Sequence, residues 1–202
     1  VGHTLPHGLD AAPAWMIVKE ITGSANGWAV YHDSTVSDHG GAPETGNLVL
    51  DTDAKHANAD ATWNDTAPSA TLVTFGDSSR VNRDDSSTYI AYFFSRIEGL
   101  QDFGGYVGNN STDGPFVYTG FKPAWLMIKE SDADSTNWRI YDNVRDGFNP
   151  SDKYLRANTN EVDQTGGAVD FLSNGFKIKN SGAENNGSGD NYIYIAFAES
   201  PF

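Results

Sequence analysis

The residue types best suited to holding a ligand lie in three polar loops. Trp63 stands in Ala61-Thr-Trp-Asn-Asp-Thr-Ala-Pro68, flanked by Asn64 and Asp65. An indole face stacks on the apolar side of a sugar ring while amide and carboxylate groups take its hydroxyls. The structural alternative for Trp63 is a cap closing one end of a sandwich. A second loop, Asn109-Asn-Ser-Thr-Asp-Gly114, brings Asn109, Asn110 and Asp113 together as further hydroxyl-binding groups. A third, Ser131-Asp-Ala-Asp-Ser-Thr-Asn137, supplies Asp132 and Asp134. Their oxygens suit calcium, although the loop lacks the central Gly and terminal Glu of a full calcium motif.

Catalytic signatures are absent: the chain has no metal-protease, phosphate-loop, dinucleotide or nucleophile-elbow pattern. Ser24, in Gly23-Ser-Ala-Asn-Gly27, has the wrong spacing for an elbow and reads as a turn serine. The five histidines, His3, His7, His32, His39 and His56, all fall in the first half and read as solvated loop residues. Glu20 and Glu130 each follow a lysine at a strand end. Two such carboxylates could divide acid and base work, but the simpler reading is a charge at the sheet rim beside its own lysine. No catalytic residue and no resident cofactor is assigned.

The elements that must position these loops are written twice. Pro13-Ala-Trp-Met-Ile-Val-Lys-Glu20 recurs 110 positions on as Pro123-Ala-Trp-Leu-Met-Ile-Lys-Glu130, and Trp28-Ala-Val-Tyr31 recurs at the same offset as Trp138-Arg-Ile-Tyr141. A fixed period of this length marks a duplicated half-domain rather than a solenoid unit. Short runs of Val, Ile, Tyr, Phe and Thr bounded by Gly, Asn, Asp and Pro predict strands over 15–19, 28–32, 48–51, 71–75 and 88–95. The second half repeats that order through Lys153–Arg156, Asp170–Ile178 and Tyr192–Phe197. Asn174-Gly175 marks a hairpin, and Ala54–Asp60 suits a short helical turn. Segment 100–115, rich in Gly and Asn, reads as a hairpin joining the halves. Trp15, Trp28, Trp125 and Trp138 belong to the core, and Pro201-Phe202 tucks an aromatic against the body.

A half of this kind leaves one apolar face wet, and two such faces packed about 10 Å apart bury each other. The expected fold is all-β: a duplicated antiparallel β-sandwich, jelly-roll or concanavalin-like, with repeats at about 8–99 and 116–202 sharing one core in a single domain.

Composition narrows the partners. In 202 residues, 27 acidic against 13 basic side chains give a formal charge of -14, which argues against nucleic acid, since phosphate binding needs clustered Lys and Arg. It equally disfavours an anionic membrane surface. No apolar run approaches the roughly 18 residues of a membrane helix. With no cysteine, disulfides and thiolate metal sites are excluded. The start at Val1, with neither Met nor signal peptide, reads as a piece of a longer polypeptide.

The repeated strand motifs, Asp113-Gly-Pro-Phe-Val-Tyr-Thr-Gly-Phe-Lys-Pro-Ala-Trp125 and the closing Tyr192-Ile-Tyr-Ile-Ala-Phe-Ala-Glu-Ser-Pro-Phe202 carry a resemblance. From about Gly8 to Phe202 the chain resembles the two-repeat domain of uncharacterised function found in tail-fibre and other virion structural proteins of marine tailed phages. That resemblance implies an extracellular virion module whose partners are other virion proteins, with a host-surface glycan as receptor and a homo-oligomer, trimeric by analogy. The competing expectation is a capsid decoration or fibre-shaft protein with a purely structural role. A polysaccharide-degrading enzyme is a third.

Overall fold

In β2 (Trp15–Glu20) and β10 (Pro123–Glu130), the repeated apolar stretches, alternate side chains enter different interiors, because successive residues of a strand point to opposite faces. The fold follows from that double burial. A computed structural model describes residues 2–23, 26–37, 40–83 and 86–201; Ser24, His39 and Phe202 lie outside the described residues.

The first half also contains β1 (His3–Pro6), β3 (Ala29–His32), β4 (Gly46–Val49), β5 (Ala57–Asn58), β6 (Leu72–Phe75) and β7 (Tyr89–Phe94). The second contains β8 (Gln101–Val107), β9 (Phe116–Tyr118), β11 (Arg139–Asp142), β12 (Leu155–Arg156), β13 (Val169–Leu172), β14 (Gly175–Ile178) and β15 (Asn191–Ala198). All pairings are antiparallel. Two five-stranded sheets run β5-β4-β3-β2-β7 and β12-β11-β10-β15-β8, a three-stranded sheet runs β13-β14-β9, and β1 pairs with β6. The strands bearing the sequence repeat take the same order in both large sheets, and even their register agrees: Trp15 faces His32 and Met16 faces Tyr31, as Trp125 faces Asp142 and Leu126 faces Tyr141.

The large sheets form a sandwich, and each is backed by a smaller sheet. Between the large sheets lie Trp15, Ile17, Val30 and Leu48 from one half and Met127, Trp138, Ile193 and Ile195 from the other. The opposite face of the first sheet, through Met16, Val18, Ala29 and Tyr31, packs on Val73 and Phe75 of β6. The opposite face of the second, through Leu126, Ile128, Tyr192 and Tyr194, packs on Val117, Phe171, Phe176 and Ile178. Three apolar layers therefore separate four sheets, which is why the repeated strands are apolar at odd and even positions alike. Rings bridge the halves in the central layer: Trp15 lies 5.9 Å from Phe103, and Phe94 lies 6.2 Å from Phe103 and 6.3 Å from Phe197.

Several local expectations are corrected. Segment 100–115 is not a hairpin, because β8 pairs with β15 and β9 with β14; the two apolar runs are claimed by different sheets. The reversal into β8 comes earlier, at the Ile97–Gln101 bridge. Ala54–Asp60 holds no helical turn; its backbone pairs with β4 through Ala57 and Asn58, and a 3-10 turn occupies Pro43–Thr45 instead. The β13–β14 hairpin forms as expected, with Leu172 facing Gly175 and the turn on Ser173 and Asn174. Trp15 and Trp138 are core residues, and Trp28 and Trp125 pack partly buried against them.

Candidate functional site

Trp63 cannot stack on a ligand. It is 0% exposed, wedged edge-on against Tyr31 at 5.9 Å and near Phe75 at 6.1 Å. The tight turn after it throws Asn64 and Asp65 outward, at φ 54° and 46°, so the ring and its polar neighbours diverge. The sugar-stacking expectation at Trp63 is overturned: the outer apolar layer of the first half needed a large ring to close it.

The Asn109–Gly114 loop is pinned rather than open. Buried Asn186 accepts from the Asn109 amide at 2.8 Å and donates to Asn109 Oδ1 at 3.1 Å and to the Ser111 carbonyl at 2.8 Å. Gly108 makes this approach feasible, because a Cβ there would lie 2.0 Å from the Gly187 carbonyl oxygen. Asp113 lies 2.6 Å from Lys177, whose ammonium holds its carboxyl below the usual range. Asn110 is exposed.

Asp132 and Asp134 serve different partners. Asp132 accepts from the Asn191 side chain at 2.6 Å and from its backbone amide at 3.2 Å. Asp134 accepts from the Lys55 amide at 3.1 Å. Among the described residues no group of three or more His, Asp or Glu side chains is arranged to hold a metal ion.

The repeated Lys-Glu pairs depart furthest from a solvated rim. Lys129 is 0% exposed, Glu130 3% and Glu20 4%, because loops fold over the strand ends. Lys129 Nζ donates to the Glu130 carbonyl at 2.6 Å and to Thr136 Oγ1 at 2.8 Å, while Glu130 Oε2 is buried without a hydrogen-bond partner among the described residues. Burial, reinforced by Asp190 and Asp132, raises the Glu130 carboxyl to about 7; burial lowers Lys129 to about 8. His32 and His56 are likewise buried, not solvated. His3 is exposed, as expected, but lies on strand β1 rather than in a loop, and the loop residue His7 is half-buried.

An open pocket lies where β10, β11 and β13 meet. Lys122, Asn143, Gly147, Phe148, Asn149, Ser151 and Phe171 enclose about 120 Å³. Its floor is the buried ring of Phe171, and Phe148 stands at its edge, 74% exposed. The carrying loop is held at several points. Asp146 Oδ2 accepts from the amides of Asp152 and Lys153 at 2.5 and 2.7 Å, which keeps its carboxyl below the ordinary range. The Asn149 amide exchanges two 2.9 Å hydrogen bonds with the backbone of Phe171. Gly147, at φ 71°, occupies the left-handed region glycine favours. Lys122 pairs with Glu199 at 3.0 Å, and Asn143 donates to the same carboxylate at 2.6 Å. Ser151 is bridged to Val169 by its backbone, and its buried hydroxyl has no hydrogen-bond partner among the described residues. A rigid loop with an exposed ring and an unanswered hydroxyl can hold one small polar ligand. Phe148, in Asp146-Gly-Phe-Asn-Pro150, shows in sequence the same signal as Trp63, a ring among turn formers.

The chain belongs to a family described as a domain of unknown function (DUF7483), which matches residues 1–201. No curated protein and no solved structure matches it.

Proposed function

We propose that this chain is a surface module of a virion, in a tail fibre or spike, and that it binds host-surface glycan. The observation that carries the binding half is the pocket beside Phe148, where an exposed ring adjoins a buried hydroxyl lacking a partner. The resemblance to tail-fibre domains and the acidic, cysteine-free β scaffold support the virion half. Oligomers multiply weak single-site affinity when several sites engage one surface, so a trimer suits the role. A glycan array probed with the monomeric and oligomeric protein tests the reading. Retention of the wild type and loss with Phe148→Ala is expected; no retention above background in either form would overturn it.

A purely structural role is the second reading, favoured by the outer edges of β7 and β8, which pair with no further strand among the described residues and have Ile90, Tyr92 and Val107 exposed nearby. Locating the chain in a particle reconstruction separates the two: a shaft or capsid-lattice position with the Phe148 loop covered favours this one.

A further inference from the structure

We infer that the Phe148 pocket takes a single ring of a neutral saccharide and that the Ser151 hydroxyl reads one of its hydroxyl groups. The inference rests on the glycan-binding reading and narrows it to a ligand class.

Size, charge and hydrogen bonding each bear on the class. A cavity of about 120 Å³ is well below the roughly 300 Å³ at which drug-sized pockets begin, so it holds one ring and leaves the rest of a chain in solvent. The cation lining it, Lys122, is answered by Glu199 at 3.0 Å, and Asn143 donates to that same carboxylate at 2.6 Å. The pocket thus presents no unbalanced positive charge, and the chain carries a net charge of -14. An acidic sugar would meet repulsion with no free cation to offset it. A neutral ring meets neither obstacle.

The ring of Phe148 offers an apolar face to the C–H side of a pyranose. Ser151 supplies discrimination. Its hydroxyl is buried with no hydrogen-bond partner among the described residues, a state that costs free energy until a ligand hydroxyl restores the bond. A site built to pair with a substrate hydroxyl rejects the analogue lacking it. Asn143 adds an acceptor, since its Oδ1 receives no donor among the described residues. The loop needs little ordering on binding, because Asp146 and Asn149 already tie it to the backbone, and preorganisation spares the entropy of closure.

The test is a titration of the isotope-labelled full chain by amide NMR with glucose, galactose and mannose, their monodeoxy derivatives, glucuronic acid and N-acetylneuraminic acid. Shifts confined to residues 143–151 and 171 are expected with at least one neutral hexose and with neither acid. One deoxy derivative of that hexose should bind roughly five- to tenfold more weakly. Ser151→Ala should bind hexose and deoxy derivative equally, with its melting curve confirming a folded chain. Phe148→Ala, at an exposed position that does not threaten folding, should lose the shifts. Binding of an acidic sugar to these residues overturns the neutral-ring inference and leaves the glycan reading standing. Undiminished discrimination in Ser151→Ala overturns the assignment of Ser151. Silence from every sugar here, together with a blank array, overturns both readings.

Discussion

The imidazole of His32 donates its Nε2 proton to the main-chain oxygen of Tyr194, 3.1 Å away and 162 positions along the chain. The Ser34 amide donates to Nδ1 at 3.2 Å, which fixes the neutral tautomer. Around this joint Arg96 grips Asp33 through both terminal nitrogens at 2.6 and 2.9 Å and donates Nε to the Phe103 carbonyl at 2.8 Å, while the Tyr194 hydroxyl donates to Asp102 at 2.5 Å. The two large sheets are thus latched by polar groups at the margin of their shared apolar layer.

Burial pushes His32 down to about 4 from its ordinary 6.5; the nearby Asp33 opposes that shift, and Arg96 adds to it. The unfolded chain therefore binds the extra proton first. The stability that neutral His32 contributes is fully present above pH 6.5 and is lost as pH falls through 4, a swing of roughly 3 kcal/mol. Denaturant midpoints of wild type and His32→Asn across that window check it: the stability of the wild type relative to the variant should fall as pH drops from 6.5 through 4.

Glu130 works in the opposite direction. Its folded pKa, about 7, lies above its unfolded 4.5, so its contribution is fully present below pH 4.5 and is lost as pH rises through 7. The windows overlap, and the wild type should show a shallow pH profile between 4.5 and 6.5. Glu130→Gln should steepen the acid side by exposing the His32 effect, and should be more stable than wild type at pH 8. Equal slopes in the two proteins would contradict the burial of this carboxyl.

Trp138 joins apolar and polar contacts across the halves: it is fully buried and its Nε1 donates to the Val49 carbonyl at 3.1 Å. Trp138→Ala should cost about 3–5 kcal/mol. Trp63→Phe should lower stability by less and leave saccharide binding unchanged, which separates the closed outer layer of the first half from the site. Phe148→Ala should shift stability by no more than about 0.5 kcal/mol while removing binding.

Asp132 and Asp134 answer Asn191 and Lys55 rather than converging. Millimolar calcium should leave the melting temperature unchanged, since a ligand stabilises only through a site in the folded chain. A rise in melting temperature with calcium that disappears in Asp132→Asn would contradict that geometry.

Much of the architecture was readable from the repeat alone, because strand period and burial write directly into residue type: Trp15 to Lys19 and Tyr192 to Phe197 lie in strands β2 and β15. What strand patterns do not encode is which loop covers which strand end. Lys129 and Glu130 look like rim charges in sequence, yet residues 131–136 fold back and bury them. Nor does composition say which face a turn ring takes. Trp63 and Phe148 share one local signal, and tertiary packing sent the first inward and the second out. Segment 100–115 misled for a related reason: two apolar runs flanking a polar loop suggest a hairpin, whereas here they extend separate sheets.

Amide hydrogen exchange of the intact chain under native conditions tests most directly the claim that both halves are one folded body around a shared layer. The amides of Met16 to Val18 in β2 and of Leu126 to Ile128 in β10 should open with the same free energy, equal to that of global unfolding. Exchange of the β2 amides at a clearly lower free energy, with β10 still protected, would show halves that unfold separately and would contradict the account.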